Sequence, residues 1–175
     1  MPARILDGKP VAQKIRDAVA LRVQALALRG IRVGLGVIRV GNDPASEIYV
    51  RLKRVACEKA GILSKETHLS QNASKAEVLK AVASLNDDPE ITGILVQLPM
   101  PSQIPQDEVL DSIHPAKDAD GLHPQSVGAL WSRIPSVLPC TPAGIMEILR
   151  FYEIPLKGRN AVVVGRSHMV GKPTV

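Results

Sequence analysis

The sequence predicts an α/β protein: a three-layer domain with a mostly parallel sheet, and a second unit opening toward the C-terminal end. Three observations carry this. Amphipathic helical stretches alternate with short β-branched apolar runs as far as Leu98. Each run ends in glycine, asparagine or proline, the residues of turns. Beyond Pro139 the pattern restarts, with a helical stretch followed by the apolar run Ala161-Val-Val-Val164. Alternation of this kind favours parallel strands covered by helices on both faces.

Pro10 to Arg29 is predicted helical, because Val11, Ile15, Val19, Val23 and Leu26 recur at three- and four-residue steps. Pro10 suits a first-turn position and Gly30 the end. Ile31 to Val40 is rich in β-branched residues and predicts a buried strand despite Gly34 and Gly36. Gly41-Asn-Asp-Pro44 is a turn. A helix carrying Tyr49 and Lys53 follows and stops at Gly61. Ile62 to Leu69 is a weaker strand. Ser74-Lys-Ala-Glu77 is a capping box that opens a helix to about Leu85, and Asn86-Asp-Asp-Pro89 breaks it. Ile91 to Leu98 is the clearest strand of the chain.

After Pro99 the texture changes: eight of the fourteen prolines fall between Pro99 and Pro142. Pro105 to Ile113 predicts a short helix. His114 to Pro139 is expected to be mostly loop, with a helical turn around Val127 to Trp131. Thr141 is expected to N-cap a helix with Pro142 at its first position and an apolar face of Ile145, Ile148, Leu149 and Tyr152. Gly158 to Gly165 is expected to be a strand running into a glycine turn. The expected division is a catalytic domain over 1–124, an interdomain connection over 125–140, and the start of a Rossmann-like domain over 141–175. That last domain needs several βαβ units. The natural protein is therefore expected to be longer than these 175 residues.

Composition excludes several classes. Apolar content of 45% and charged content of 22% are those of a water-soluble globular chain. No apolar run is long enough to span a bilayer, and the first residues lack the apolar stretch of a secretory signal. A cytoplasmic protein without a membrane partner is the expectation. The net charge of +5 attracts anions, but Lys and Arg are spread along the chain. With Tyr49, Trp131, Phe151 and Tyr152 as the only aromatics, a base-stacking surface and a nucleic-acid partner are not expected. A small anionic ligand fits the charge. Cys57 and Cys140 make no disulfide framework, and Cys57 reads as core filler. Asp118, Asp120 and His123 are close in sequence, but nothing fixes their geometry, and no metal site is expected.

Tyr49 and Lys53 are four residues apart and share a helix face. Taken alone the pair reads as an amphipathic helix with a snorkelling lysine. What points beyond this is its setting. In open α/β sheets ligands sit at the carboxyl ends of the strands. Gln97 ends one predicted strand, and the turn feeding the Tyr49/Lys53 helix follows another, so the three side chains converge on one cleft. A phenol and an ammonium there can move a proton if their pKa values are tuned. Gly165-Arg-Ser-His-Met-Val-Gly171-Lys-Pro173 is neither a P-loop nor a GxGxxG turn: its glycines are one residue too far apart for the first, and Ser167 replaces the middle glycine of the second. It keeps small residues at a turn and Arg166 to pair with a phosphate.

Gly41-Asn-Asp-Pro-Ala-Ser46, Tyr49-Val-Arg-Leu-Lys53, Gly93-Ile-Leu-Val-Gln-Leu-Pro-Met-Pro101, Lys117-Asp-Ala-Asp-Gly-Leu-His-Pro124, Pro139-Cys-Thr-Pro-Ala-Gly144 and Gly165 to Pro173 occur in that order. Together they resemble the bifunctional methylenetetrahydrofolate dehydrogenase/methenyltetrahydrofolate cyclohydrolase family. The resemblance implies NADP-dependent oxidation of 5,10-methylenetetrahydrofolate, then hydrolysis of the methenyl product to 10-formyltetrahydrofolate, by a homodimer when full length. It implies Lys53 as general acid/base, Gln97 as the residue orienting that lysine, and Tyr49 packing on the folate. Asp120 would bind the pterin edge, and Val96, Leu98, Pro99 and Pro101 would border the pocket. Gly165, Arg166, Ser167 and Thr141 would contact NADP. Ser126 places a shorter side chain where the pattern has asparagine, near the folate wall. Two rivals are a folate-binding fragment without catalysis and a short-chain dehydrogenase, which also uses a Tyr-x-x-x-Lys helix but places its nucleotide loop before the pair.

Overall fold

A computed structural model describes residues 3–175. Helix α1 (Gly8–Ala27) starts earlier than the periodicity predicts, because the Asp7 side chain accepts from the Lys9 N–H and caps it. Strand β1 (Gly34–Val40), helix α2 (Pro44–Ala60), strand β2 (Leu63–Leu69), helix α3 (Lys75–Asp87) and strand β3 (Gly93–Val96) follow in strict alternation. The three strands form one parallel sheet in the order β2-β1-β3. Each predicted strand starts earlier than its paired segment, and only the predicted Ile91–Leu98 also runs past it at the C-terminal end. Strand propensity continues into residues such as Ile31 and Leu98, but the ladder does not.

The layers follow from the two-residue period of β1 and β3. Ile38, Val40, Ile94 and Val96 point to one side and pack with Val78, Val82 and Leu85 of α3 and with Val109 and Leu110 of helix α4 (Gln106–Asp111). Val37 and Leu95 point to the other side and pack with Val50 of α2. The expected three layers are thus present, with the larger core on the α3 side. β1 is central and almost wholly buried, whereas β2 is an edge strand with exposed polar residues, which is why its sequence signal was weak. The capping box of α3 is formed in both directions between Ser74 and Glu77.

Two expectations fail in the second half, and one is refined. Residues 114–139 are mostly loop as expected, but a 3₁₀ turn also covers Pro115–Lys117, and the helical turn expected around Val127 to Trp131 is the longer helix α5 (Pro124–Trp131). Each begins with a His-Pro pair. His114 Nδ1 accepts from the Ala116 N–H at 3.2 Å, and His123 Nδ1 from the Gln125 N–H at 3.1 Å. Histidine is not a residue that capping rules favour, so the signal was missed. Thr141 is not an N-cap: helix α6 (Cys140–Phe151) starts one residue before it, with Pro139 at the cap position and the Pro139 carbonyl accepting from the Ala143 N–H. The expected strand over 158–165 is absent. A strand exists only with a partner, and among the described residues nothing pairs with this segment; Val162 and Val164 are 88% and 98% exposed. The four-residue helix α7 (Gly171–Thr174) closes the chain.

α6 returns to the N-terminal side and packs on α1. The Tyr152 hydroxyl donates to the Asp7 carbonyl at 3.0 Å, Arg4 lies over the Tyr152 ring and Lys14 over Phe151.

Candidate active site

The carboxyl end of β1 runs into Gly41 and then Asp43, whose side chain accepts from the Ser46 N–H at 2.7 Å and starts α2. Ser46, Val50 and Cys57 form the buried stripe of that helix. Lys53 falls on the same stripe, between Val50 and Cys57, so it is half-buried rather than free in solvent. Tyr49 lies one turn earlier at the edge of the stripe and is 59% exposed.

Beside β1, the sheet continues one step past β3: the Gln97 N–H donates to the Ile38 carbonyl at 2.8 Å. The Gln97 side chain then turns back. Its Nε2 donates to the Leu98 carbonyl at 2.7 Å, which leaves Oε1 to accept from Lys53 Nζ at 2.8 Å. The Leu98–Pro99 bond is cis. Leu98 and Pro101 are half-buried and Pro99 exposed at this strand end. The Val96 side chain is turned into the core on the α3 side, so only its backbone can border the cleft.

The third component is the loop after Lys117. The Ala119 N–H donates to the Ile94 carbonyl at 3.1 Å, which lays the loop along the free side of β3. This brings Asp120 into electrostatic range of Lys53. Cys140 Sγ, at the start of α6, is 3.6 Å from Asp120 Oδ1. Loss of water lowers the Lys53 pKa below its ordinary value, opposed by Asp120 and then Cys140. Burial raises the Asp120 pKa, opposed chiefly by Lys53. For both groups burial outweighs the partner's charge. Burial, then Asp120, pushes the Cys140 thiol up, so it stands as a protonated donor facing the carboxylate. A half-buried amine with a lowered pKa, held by an uncharged amide, is better suited to take a proton than a free lysine.

Lys117 and Asp118 of the same motif serve the scaffold. Lys117 Nζ donates to the carbonyls of Leu85, Asn86 and Asp88 and so caps the C-terminal end of α3. Asp118 is buried and accepts from the N–H groups of Gly121, Leu122 and His123 and from the Ser126 hydroxyl. Ser126 therefore faces inward to Asp118. These roles and that of Cys140 were missed. The available signal was Asp118 followed three residues on by Gly121, a turn pattern.

Gly165, Arg166, Ser167 and Thr141 do not join this cluster of contacts. Ser167 borders a separate cavity of about 750 Å³ between α4, α5 and the 167–169 turn. Its Oγ accepts from the N–H groups of Val170 and Gly171. A Cβ on Gly171 would lie 2.5 Å from the Gly165 backbone, so this turn depends on close backbone approach. Thr141 is exposed on α6.

Residues 6–120 match the family model described as "Tetrahydrofolate dehydrogenase/cyclohydrolase, catalytic domain", and residues 139–175 match its "NAD(P)-binding domain". The bifunctional protein FolD of Anaeromyxobacter dehalogenans is 54% identical over 170 residues, which is 97% of this chain and 60% of that protein. The chain thus spans about 60% of the length of such curated relatives. The crystal structure of bifunctional FolD methylenetetrahydrofolate dehydrogenase/cyclohydrolase from Campylobacter jejuni is 45% identical, with a TM-score of 0.94 over 98% of this chain and 61% of its own. The Trypanosoma brucei methylenetetrahydrofolate dehydrogenase-cyclohydrolase, solved with NADP cofactor and an inhibitor, is 37% identical, with a TM-score of 0.94 over 99% of this chain and 60% of its own. On the strength of the model that covers residues 6–120, this chain belongs to the tetrahydrofolate dehydrogenase/cyclohydrolase family.

Proposed function

We propose that the protein acts in one-carbon folate metabolism, oxidising 5,10-methylenetetrahydrofolate with NADP⁺ and hydrolysing the methenyl product to 10-formyltetrahydrofolate. The observation that carries the reading is the 2.8 Å contact between the half-buried Lys53 amine and Gln97, within the field of Asp120. It is supported by the relatives, whose names state these two activities.

The methenyl group is a cation, an amidinium carbon between two folate nitrogens. Water adds to that carbon while a neutral Lys53 amine takes its proton. The lysine ammonium then returns its proton to N5 as the carbon–N5 bond breaks. The hydroxyl of the adduct loses its proton to water as the C=O forms, so one net proton is released, and the formyl group stays on N10. An ammonium at position 53 would be repelled by the cation, so the burial that lowers the Lys53 pKa serves the step. Gln97 orients the amine without holding it protonated. Asp120 accepts paired hydrogen bonds from the pterin amino edge. Tyr49 packs on the folate ring, and Leu98, Pro99, Pro101 and the Val96 backbone border it.

The Gly165–Gly171 turn and the exposed Arg166 fit a phosphate-bearing cofactor: the space beside Gly165 is open, with nothing within 4 Å of where a Cβ would sit, and the guanidinium pairs with an anion. Gly165, Arg166, Ser167 and Thr141 would hold NADP⁺, which when bound supplies the hydride acceptor. The proposed domains are 1–124 for folate and catalysis, 125–140 as connection and 141–175 toward the cofactor. A homodimer is proposed for the full-length protein. A cytoplasmic setting is supported by two unpaired thiols, Cys57 and Cys140. Among the described residues no helix is long and apolar enough to cross a membrane.

Lys53→Met tests the reading. Methenyl hydrolysis should fall by roughly 100- to 10,000-fold, the range of a lost general base. Turnover within threefold of wild type would remove Lys53 from the mechanism. Folate binding that persists without any turnover in the unmodified chain would favour a folate-binding role without catalysis.

A further inference from the structure

We propose that Asp118 and Ser126 are positioning residues: through the loop they tie together, they hold the Asp120 carboxylate toward Lys53. The proposal rests on the folate reading for its consequence, but its geometry stands apart from it.

Asp118 and Ser126 are 3% and 4% exposed. Asp118 Oδ1 accepts from Gly121 N at 3.0 Å and Leu122 N at 3.3 Å, and Oδ2 from His123 N at 3.0 Å and Ser126 Oγ at 2.7 Å. No lysine, arginine or histidine among the described residues forms an ion pair with it. A buried carboxylate without a cation depends wholly on such neutral donors. The Ser126 hydroxyl makes the shortest of the four bonds.

Ser126 is also the one buried residue of α5. An amphipathic helix ordinarily anchors through an apolar side chain. Here an eight-residue helix is anchored through a hydroxyl directed at Asp118. Ser126 therefore couples α5 to the loop that carries Asp120.

Asp120 is pinned on both sides. The peptide before it is held by Ala119 N to Ile94 O at 3.1 Å, and the peptide after it by Gly121 N to Asp118 Oδ1. Gly121 has φ +68°, and a Cβ there would lie 2.8 Å from the Val137 carbonyl oxygen, so the backbone beyond Asp120 packs closely against the 137–139 stretch and takes only glycine without strain. What remains to Asp120 is side-chain rotation. Its carboxylate then contacts Cys140 Sγ and lies within the fields of Lys53 and Asp118.

The test compares Ser126→Ala, Ser126→Thr and Asp118→Asn by two readouts. One is the titration of the Asp120 carboxyl by ¹³C NMR, which needs no ligand. The other is the Kd for tetrahydrofolate, measured in the native and Asp120→Ala backgrounds. Ser126→Ala should move the Asp120 titration toward the ordinary carboxylate range and weaken tetrahydrofolate binding about tenfold, the scale of one hydrogen bond to a charged group. The binding loss should vanish in the Asp120→Ala background, because the hydroxyl acts through that carboxylate. Ser126→Thr, which keeps the hydroxyl, should restore both readouts. If Ser126→Ala does not fold, Asp118→Asn, which leaves Gly121 and Leu122 an acceptor, should give the same two shifts. An unmoved Asp120 titration, or a binding loss that persists without Asp120, overturns the proposal. If the unmodified chain does not bind tetrahydrofolate, the folate reading falls, and the NMR titration still decides the positioning role.

Discussion

Lys53 and Asp120 are held in a balance that can be tipped from either side. Burial makes the folded Lys53 pKa lower than the unfolded one, so its ammonium form is disfavoured by folding. That penalty is full below the folded pKa and is relieved as pH rises through it. Asp120 opposes the shift by favouring the cation. Asp120→Asn should therefore lower the Lys53 pKa further, read as a shift of its ¹³Cε titration to lower pH. The alkaline rise of any Lys53-dependent hydrolysis should move the same way; a shift to higher pH would contradict the arrangement. The Lys53–Gln97 contact was legible in the sequence because each residue rests on a local rule: helix periodicity for the lysine and strand termination for the glutamine. Asp120 and the cofactor role of Thr141 came from the family pattern alone, whereas the Gly165 turn and Arg166 were also read from local turn chemistry. The Cys140 contact and the Asp118–Ser126 bond were not legible, since they join segments whose approach depends on tertiary packing.

Among elements, the loop from Lys117 to His123 organises both the scaffold and the cleft. Lys117 satisfies three carbonyls at the end of α3, where helix carbonyls otherwise lack partners. Lys117→Met keeps the aliphatic stem and removes the ammonium. It should cost about 1–3 kcal/mol, the range for hydrogen bonds to a charged group, read by urea unfolding. A loss below a few tenths of a kcal/mol would mean that water replaces the cap. Gly121 is the crossing point of two segments. Its positive φ alone makes Gly121→Ala cost roughly 1–3 kcal/mol. The added Cβ would also press on Val137 to Pro139, the stretch that leads to Cys140. We expect that variant to lose stability and to detach the Cys140 thiol from Asp120, seen as faster thiol alkylation in the folded state. The parallel strands and the α3 capping box were legible because period and capping chemistry are local. The His-Pro helix starts were not, and neither was the failure of the 158–165 strand, whose apolar run has the right propensity but no neighbour.

For the molecule as a whole, its two parts differ in what they can bury. Residues up to about 124 carry all three strands and the main core, whose members include Ile38, Leu85, Ile94 and Val109. They hold Lys53 on α2, Gln97 at the end of β3 and Asp120 on the hydrogen-bonded 117–123 loop, so tetrahydrofolate affinity should survive in a polypeptide of these 175 residues. Residues 139–175 form α6, α7 and an unpaired connection between them. Val162 and Val164 lie open there, on backbone with free donors and acceptors, which is a template for pairing with another chain. Hydride transfer requires a nicotinamide ring held within about 3–3.5 Å of the methylene carbon. A single glycine turn with Arg166 can grip a phosphate, but it cannot fix a ring several bonds away. We therefore expect the 175-residue polypeptide to show no NADP⁺-dependent oxidation of methylenetetrahydrofolate, followed by NADPH absorbance. It should self-associate with rising concentration in sedimentation experiments, and charged substitutions at Val162 and Val164 should suppress that association. Clear turnover that disappears with Lys53→Met would show instead that a second copy, or a packing not seen among the described residues, completes the cofactor site.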